Sequence, residues 1–259
     1  MTILFALLLL GVLAGILSGL FGIGGGIIMV PMLVAVFGFD LLNANATSLA
    51  AMLLPVGILG VIAYYKAGYI NLRDSLWLSI GLFGGSFIGG ELAVSVDVSL
   101  LAKLYAAFLI YIAVGYLNLP ALITGRKIQP PSEGGGKIRR AFWVYISVGI
   151  LAGIIAGMFG KGGGLVIVPI LIKFFRYDPK SATATSLAAL QLPVGLPSVI
   201  IYANAGHLNY YYAGLMAIGI VAGVFAGSKL ALKIPAATFK RVYALFLLGV
   251  AVYMVVKYI

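Results

Sequence analysis

The residues best suited to chemistry in this chain are two glycine turns. Phe21-Gly22-Ile23-Gly24-Gly25-Gly26 is followed by Pro31, and Phe159-Gly160-Lys161-Gly162-Gly163-Gly164 is followed by Pro169. Consecutive glycines carry no side chains, so a ligand can touch the backbone itself. A short apolar segment follows each turn, over 27–37 and 165–175. If it is helical, its unpaired N–H groups and positive dipole end point back at the turn and favour an anion there. The plainer alternative is a tight turn that simply needs glycine. Downstream stand two hydroxyl pairs, Thr47-Ser48 and Thr185-Ser186. Such hydroxyls either donate to a bound oxyanion or bond back to a carbonyl one helical turn earlier.

Two further positions differ between the copies. Lys161 stands where the first copy has Ile23. A lysine inside a membrane loop either supplies a fixed charge for an anion or extends its stem to an interface. Gln191 stands where the first copy has Leu53, adding one amide. The candidate substrate-binding set is therefore Gly24, Gly25, Gly26, Thr47, Ser48, Lys161, Gly162, Gly163, Gly164, Thr185, Ser186 and Gln191. Pro31, Pro55, Pro169 and Pro193 are the candidate helix breaks or hinges, because proline removes a donor and disrupts the helical ladder.

These elements belong to an internal repeat at an offset of 138 residues. Residues 11–31 and 149–169 share 13 of 21 positions, and 44–57 and 182–195 share 11 of 14. Each half is therefore a control for the other. Hydrophobic residues make up 63% of the chain and charged residues 9%, with a mean hydropathy of +1.17. A water-soluble domain with so few charges would lack a polar surface. The expected fold is an all-α polytopic membrane protein. Eight long helices are predicted near 2–20, 45–63, 75–95, 100–119, 142–158, 183–203, 211–231 and 239–256, since roughly 20 residues cross the hydrocarbon. The segments 27–37 and 165–175 are too short to span it upright and read as tilted crossings or arms of re-entrant hairpins. The first segment lacks the basic flank and cleavage box of a secretory leader and duplicates an interior helix, so it is expected to be retained.

Charge is informative because the halves disagree. The segment 120–141 carries Arg126, Lys127, Lys137, Arg139 and Arg140, so it is placed in the cytoplasm. Lys173, Arg176 and Lys180 follow the second short segment, whereas the matching loop of the first half holds Asp40 and no basic residue. Lys229, Lys233, Lys240 and Arg241 stand where the first half has Glu91, Asp97 and a single Lys103. At a third comparison the bias reverses, with Lys66 and Arg73 opposite neutral His207. Matching loops on opposite sides require an inverted repeat, with 1–119 as the first copy, 120–141 as a cytoplasmic linker and 142–259 as the second copy. Both termini are then expected outside a multi-pass protein of the cell membrane. The net charge of +11 is read as orientation and not as nucleic-acid binding.

Small residues at spacing four, Gly11, Gly15 and Gly19 with Gly149, Gly153 and Gly157, and Gly81, Gly85 and Gly89 with Gly219, Gly223 and Gly227, read as faces for close helix packing. Tyr64, Tyr202, Asn204 and His207 read as an interfacial belt. The turns are neither nucleotide-phosphate nor dinucleotide loops, because Lys161 is not followed by Ser or Thr and no strand precedes either turn. The chain has no cysteine and one histidine, and its six acids read as loop or helix-end residues. No catalytic residue, metal, cofactor or enzymatic activity is expected, and the oligomeric state is left open.

The doubled pattern of Gly-x-Gly-Gly-Gly, proline and Ala-Thr-Ser resembles the sulfite exporter TauE/SafE family, also called TSUP, over essentially the whole chain. The resemblance implies a permease for sulfite, thiosulfate, organosulfonates or related organic acids, usually an exporter. The family motif falls on Gly24, Gly25, Gly26, Pro31, Thr47 and Ser48, and on Gly162, Gly163, Gly164, Pro169, Thr185 and Ser186. The combined expectation is alternating access around a midplane anion site. An anion channel and a permease for sulfur-free organic acids are the alternatives.

Overall fold

The computed structural model describes residues 2–21, 25–53, 57–117, 140–160 and 163–230, with isolated positions near the C-terminus. The described residues form α1 (Thr2–Phe21), α2 (Gly26–Ala35), α3 (Leu41–Ala51), α4 (Ile58–Lys66), α5 (Leu72–Ser95), α6 (Val98–Leu117), α7 (Phe142–Phe159), α8 (Gly164–Phe175), α9 (Pro179–Ala189), α10 (Leu196–Asn204) and α11 (Tyr210–Leu230). The described residues are thus all-helical in their regular structure, with α5, α7 and α11 long and apolar enough to cross a membrane and further apolar helices beside them. Shifting by 138 residues carries α1 to α5 onto α7 to α11. Most of the linker, Lys161 and the expected span 239–256 lie outside the described residues.

One expectation is corrected. The apolar stretches 45–63 and 183–203 are each two short helices, with α3 ending at Ala51 and α4 starting at Ile58, and α9 ending at Ala189 and α10 starting at Leu196. The break falls at the Pro-Val-Gly triplets, 55–57 and 193–195. Hydropathy stays high through the triplets, so composition alone joins what proline and glycine separate. Pro31 and Pro169, by contrast, sit inside α2 and α8.

The glycine faces bring helix backbones into close contact. A Cβ added to Gly11 would lie 2.4 Å from Met216 O, and one on Gly15 would lie 2.3 Å from Ile220 O and 2.9 Å from Gly223 Cα. On the matching pair, a Cβ on Gly81 would lie 2.2 Å from Ile146 O, and one on Gly85 2.1 Å from Ile150 O. So α1 packs on α11 and α5 on α7, and in both pairs contact positions rise together along the two chains, which makes the helices parallel. Each pair takes one helix from each repeat. Without a hydrophobic drive between helices in lipid, this close approach of bare backbone supplies the dispersion contacts that hold them.

Short helices fill the space between these pairs. Polar contacts place α3 beside both the C-terminus of α7 and the start of α11. Asn45 Nδ2 donates to Met158 O at 2.8 Å, Ser48 Oγ donates to Gly160 O at 2.8 Å, and Asn43 Oδ1 lies 2.9 Å from His207 Nδ1. Tyr202, expected in an interfacial belt, is instead fully buried and donates to Gly157 O at 3.0 Å. A ladder on α5 binds the second repeat, with Ser75, Ser79 and Ser86 donating to Thr185 O, Ala189 O and Val194 O at 2.9, 2.8 and 2.6 Å.

Gly85→Ala is expected to force α5 and α7 apart and to cost about 1–3 kcal/mol or more through overpacking. Gly84, one residue away on the same helix, meets nothing within 4 Å. Gly84→Ala should therefore fold as well as the parent or gain a few tenths of a kcal/mol from helix propensity. Thermal unfolding of both purified variants, followed by monodispersity, checks the contrast.

Candidate functional site: a cavity shared by the two repeats

A cavity of ≈ 50 Å³ lies where the breaks of both repeats converge. Its lining pairs residues across the 138-residue offset: Gly25 with Gly163, Leu49 with Leu187, Met52 with Leu190, Leu53 with Gln191, Gly57 with Gly195, and Ser18 with Ala156. A site that draws the same positions from each copy sits where the copies meet. By the same measure a water needs about 10–15 Å³, so the volume suits a few waters or one small oxyanion.

Helix starts surround this cavity. Gly25 and Gly163 immediately precede α2 and α8, and Gly57 and Gly195 immediately precede α4 and α10. First-turn N–H groups lack intrahelical acceptors, and each helix start carries partial positive charge. Four such starts around a largely apolar hollow make a neutral-side-chain site whose polarity comes from backbone. Added polar side chains are Ser18, Ser86 and Gln191. Gln191 Nε2 donates to Leu187 O at 2.9 Å, leaving its buried Oε1 without a partner.

The structure distributes the expected site residues unevenly. Gly25, Gly163 and Gln191 line the cavity, and Gly26 and Gly164 are the buried first residues of the adjoining helices. Gly24, Gly162, Lys161 and Pro55 lie outside the described residues. Pro31 is buried within α2, whereas Pro169 and Pro193 are exposed. The four hydroxyls are not among the cavity-lining residues. Ser48 is committed to Gly160 O, and Thr185 Oγ1 accepts from Asn71 N at 3.3 Å. Thr47 and Ser186 are buried with no hydrogen-bond partner.

The commitment of Ser48 has a structural logic. Asn45, Ser48 and Tyr202 together satisfy the carbonyls of Gly157, Met158 and Gly160, which close α7 just before the glycine turn. Terminal carbonyls buried in apolar surroundings must find donors. Gly160 itself adopts φ 66, and a Cβ there would lie 2.5 Å from Asn45 Cα, so both backbone and space demand glycine. These polar residues therefore place the turn that contributes to the cavity.

Sequence reading missed a second cluster. Asp74, taken as a loop or helix-end acid, is 5% exposed in the first turn of α5 and accepts a hydrogen bond from the Tyr177 hydroxyl. Burial first, then the Asp74 carboxylate, pushes the Tyr177 hydroxyl well above its ordinary pKa, so it remains a donor across the working pH range. Asn71 caps the same helix start, its side chain accepting from Asp74 N at 3.1 Å. The one available signal was an acid three residues after an asparagine at a helix start, which marks a cap and does not reveal depth.

A family model described as sulfite exporter TauE/SafE matches residues 7–254. Among curated proteins, a probable membrane transporter of Methanocaldococcus jannaschii is 31% identical, covering 88% of this chain and 85% of its own length. One from Haemophilus influenzae is 30% identical with 99% of each chain covered, and one from Bacillus subtilis is 27% identical, covering 86% and 85%. No solved structure matches.

Ser48→Ala is expected to cost about 1–3 kcal/mol, because it leaves the Gly160 carbonyl without its donor. Ser186→Ala, the same change in the other repeat, removes a hydroxyl that has no partner and should be neutral or slightly stabilising. Parallel thermal melts of the two variants test this. Gln191→Leu, which makes the second copy match the first, should leave the melting temperature within error while weakening transport roughly fivefold to tenfold, the worth of one hydrogen bond.

Proposed function

This chain belongs to the sulfite exporter TauE/SafE family, and from that premise we propose that it exports small sulfur-containing anions such as sulfite, thiosulfate or organosulfonates by alternating access around the shared cavity. The membrane-transporter character follows from the family and from its curated relatives. The observation that carries the finer reading is the cavity itself, drawn from matching positions of both repeats and bordered by four helix starts. Backbone N–H groups there offer an oxyanion neutral donors, and the small volume favours compact anions over large ones.

The packing supports an inverted arrangement. The C-terminus of α7 and the N-terminus of α11 both lie against the short helix α3, which fits α7 and α11 running in opposite directions. Since α1 is parallel to α11, it is antiparallel to α7, its own copy. Arg73, Arg140 and Lys180 then fall at one end, where the helices α5, α7 and α9 start. Asp40 and Asp97 fall at the other, at the start of α3 and beyond the end of α5. The basic end is assigned to the cytoplasm of a multi-pass cell-membrane protein, with the linker inside and both termini outside. Export of an anion from a negative interior is then downhill by about 2.3 kcal/mol per charge per 100 mV.

Lys161 is assigned to the second glycine turn as a source of positive potential for the anion. Loading of proteoliposomes with labelled sulfite, thiosulfate or small sulfonates should show saturable exchange of at least one of them. A flux that grows linearly with concentration points to a channel, and transport restricted to sulfur-free carboxylates overturns the substrate class. Lys161→Met is expected to lower the apparent affinity for the transported anion roughly tenfold, as loss of one charge-assisted contact does. An unchanged value removes that role from the residue.

A further inference from the structure

Because the repeat supplies its own control, like residues that behave differently in the two copies report a difference in state. Two such pairs, Thr185 with Thr47 and Asp178 with Asp40, lie at the two ends of the molecule around the starts of α3 and α9, beside two contacts whose residue types differ between the copies. At the basic end Thr185 Oγ1 accepts from Asn71 N at 3.3 Å, while its match Thr47 has a buried hydroxyl with no partner and lines a recess of ≈ 380 Å³ that also includes Asn209, the match of Asn71. Asp178 accepts from the amides of Lys180 and Ser181 at 3.0 and 3.1 Å and caps α9, whereas its match Asp40 makes no such bond to α3. Tyr177 and Asp74 are buried and bonded to each other, while their matches Phe39 and Tyr212 are half-buried with ring centroids 5.8 Å apart. Lys180 Nζ stands 5.6 Å over the Tyr69 ring, whose match is His207.

The opposite end keeps one polar bridge, between His207 and Asn43. Phe39 and Tyr212 stay in ring contact beside the recess, and Thr47 lines it with its hydroxyl unpartnered. Ser75, beside the basic-end contacts, adds a further tie by donating to Thr185 O at 2.9 Å, and its match is Ala213, which has no hydroxyl.

We propose that Asn71, Asp74, Tyr177 and Thr185 form a closed gate at the basic end of the molecule and that the recess bounded by Phe39, Thr47 and Asn209 is the matching gate in its open form. This rests on the alternating-access reading of the shared cavity. In a protein of two inverted copies, exchanging the local conformations of the copies turns a state open at one end into a state open at the other. The uncapped α3 start and the unpartnered Thr47 hydroxyl are then groups waiting for their partners, and the Thr185 and Asp178 bonds are the ones that break. The gate residues are positioning residues, acting through the helices that border the cavity.

The absence of native cysteine lets single pairs of spin labels report each end. Ala67→Cys with Phe174→Cys flanks the basic end, and the matching pair Ala205→Cys with Val36→Cys flanks the recess; all four positions are exposed. Dipolar distance distributions are recorded in lipid nanodiscs for the labelled parent, for Thr185→Val and for Thr47→Val. Thr185→Val should raise the ratio of long to short basic-end distances roughly tenfold and shorten the recess pair, as expected when one gate bond is lost from a two-state balance. Thr47→Val should leave both distributions unchanged.

Should Thr185→Val not fold, the double change Tyr177→Phe with Asp74→Leu removes both partners of a buried bond together, which proteins tolerate better than losing one. It carries the same expectation. Unchanged basic-end distances in a folded gate variant, or an equal response to Thr47→Val, overturn the gate. Flux of labelled sulfite through the same proteins separates the two readings. Sulfite exchange without the distance shift removes the gate alone, and the distance shift without sulfite exchange removes the proposed substrate alone.

Discussion

Every peptide group that leaves a helix inside hydrocarbon must find a partner within the protein, and the architecture of this chain is arranged around that demand. The chain breaks its apolar segments at the glycine turns and again at the two Pro-Val-Gly triplets. Freed carbonyls near those breaks are met by Asn45, Ser48 and Tyr202 on one side, and by Ser79 and Ser86 on the other. Nearly all of these donors come from the opposite repeat. The breaks and their remedies therefore bind the halves together, and the cavity between them is bordered by helix starts from both.

That arrangement also explains how a site can exist with so little side-chain polarity. Leu49, Leu187, Met52 and Leu190 line it with apolar surface, and in such low-dielectric surroundings each remaining dipole counts for more. Helix starts provide positive potential that does not titrate and does not move with rotamers. Gln191 is the single lining position where the second copy adds an amide that the first lacks, so the two-fold equivalence of the cavity is broken at a chemically meaningful place.

Much of the fold was legible because its strongest signals are steric. Glycines at spacing four predicted close helix faces, and those faces are where α1 meets α11 and α5 meets α7. The triple-glycine turns were recognisable as places where backbone matters. What hydropathy concealed were the breaks at 52–57 and 190–195, since Leu, Pro and Val keep the average high while the ladder is interrupted. The serine ladder on α5 was hidden for a related reason: a serine in an apolar helix reads as neutral, and only the neighbour's carbonyl shows its purpose. Thr47, Ser48, Thr185 and Ser186 were seen as polar at depth, but sequence could not say whether such a hydroxyl faces a cavity or a carbonyl. Asp74 was hidden because its burial is imposed by Tyr177, more than a hundred residues away.

The pairing of α1 with α11 and of α5 with α7 carries a consequence for biosynthesis. When the ribosome has released the first half, the bare ridge of α1 has no cover, and its mate is the last of the described helices to be made. The nascent protein must therefore linger in the bilayer with exposed glycine faces until the second half arrives. Membrane insertases or chaperones that shield such faces would be most needed during that interval, and a chain truncated before α11 would present a natural degradation signal.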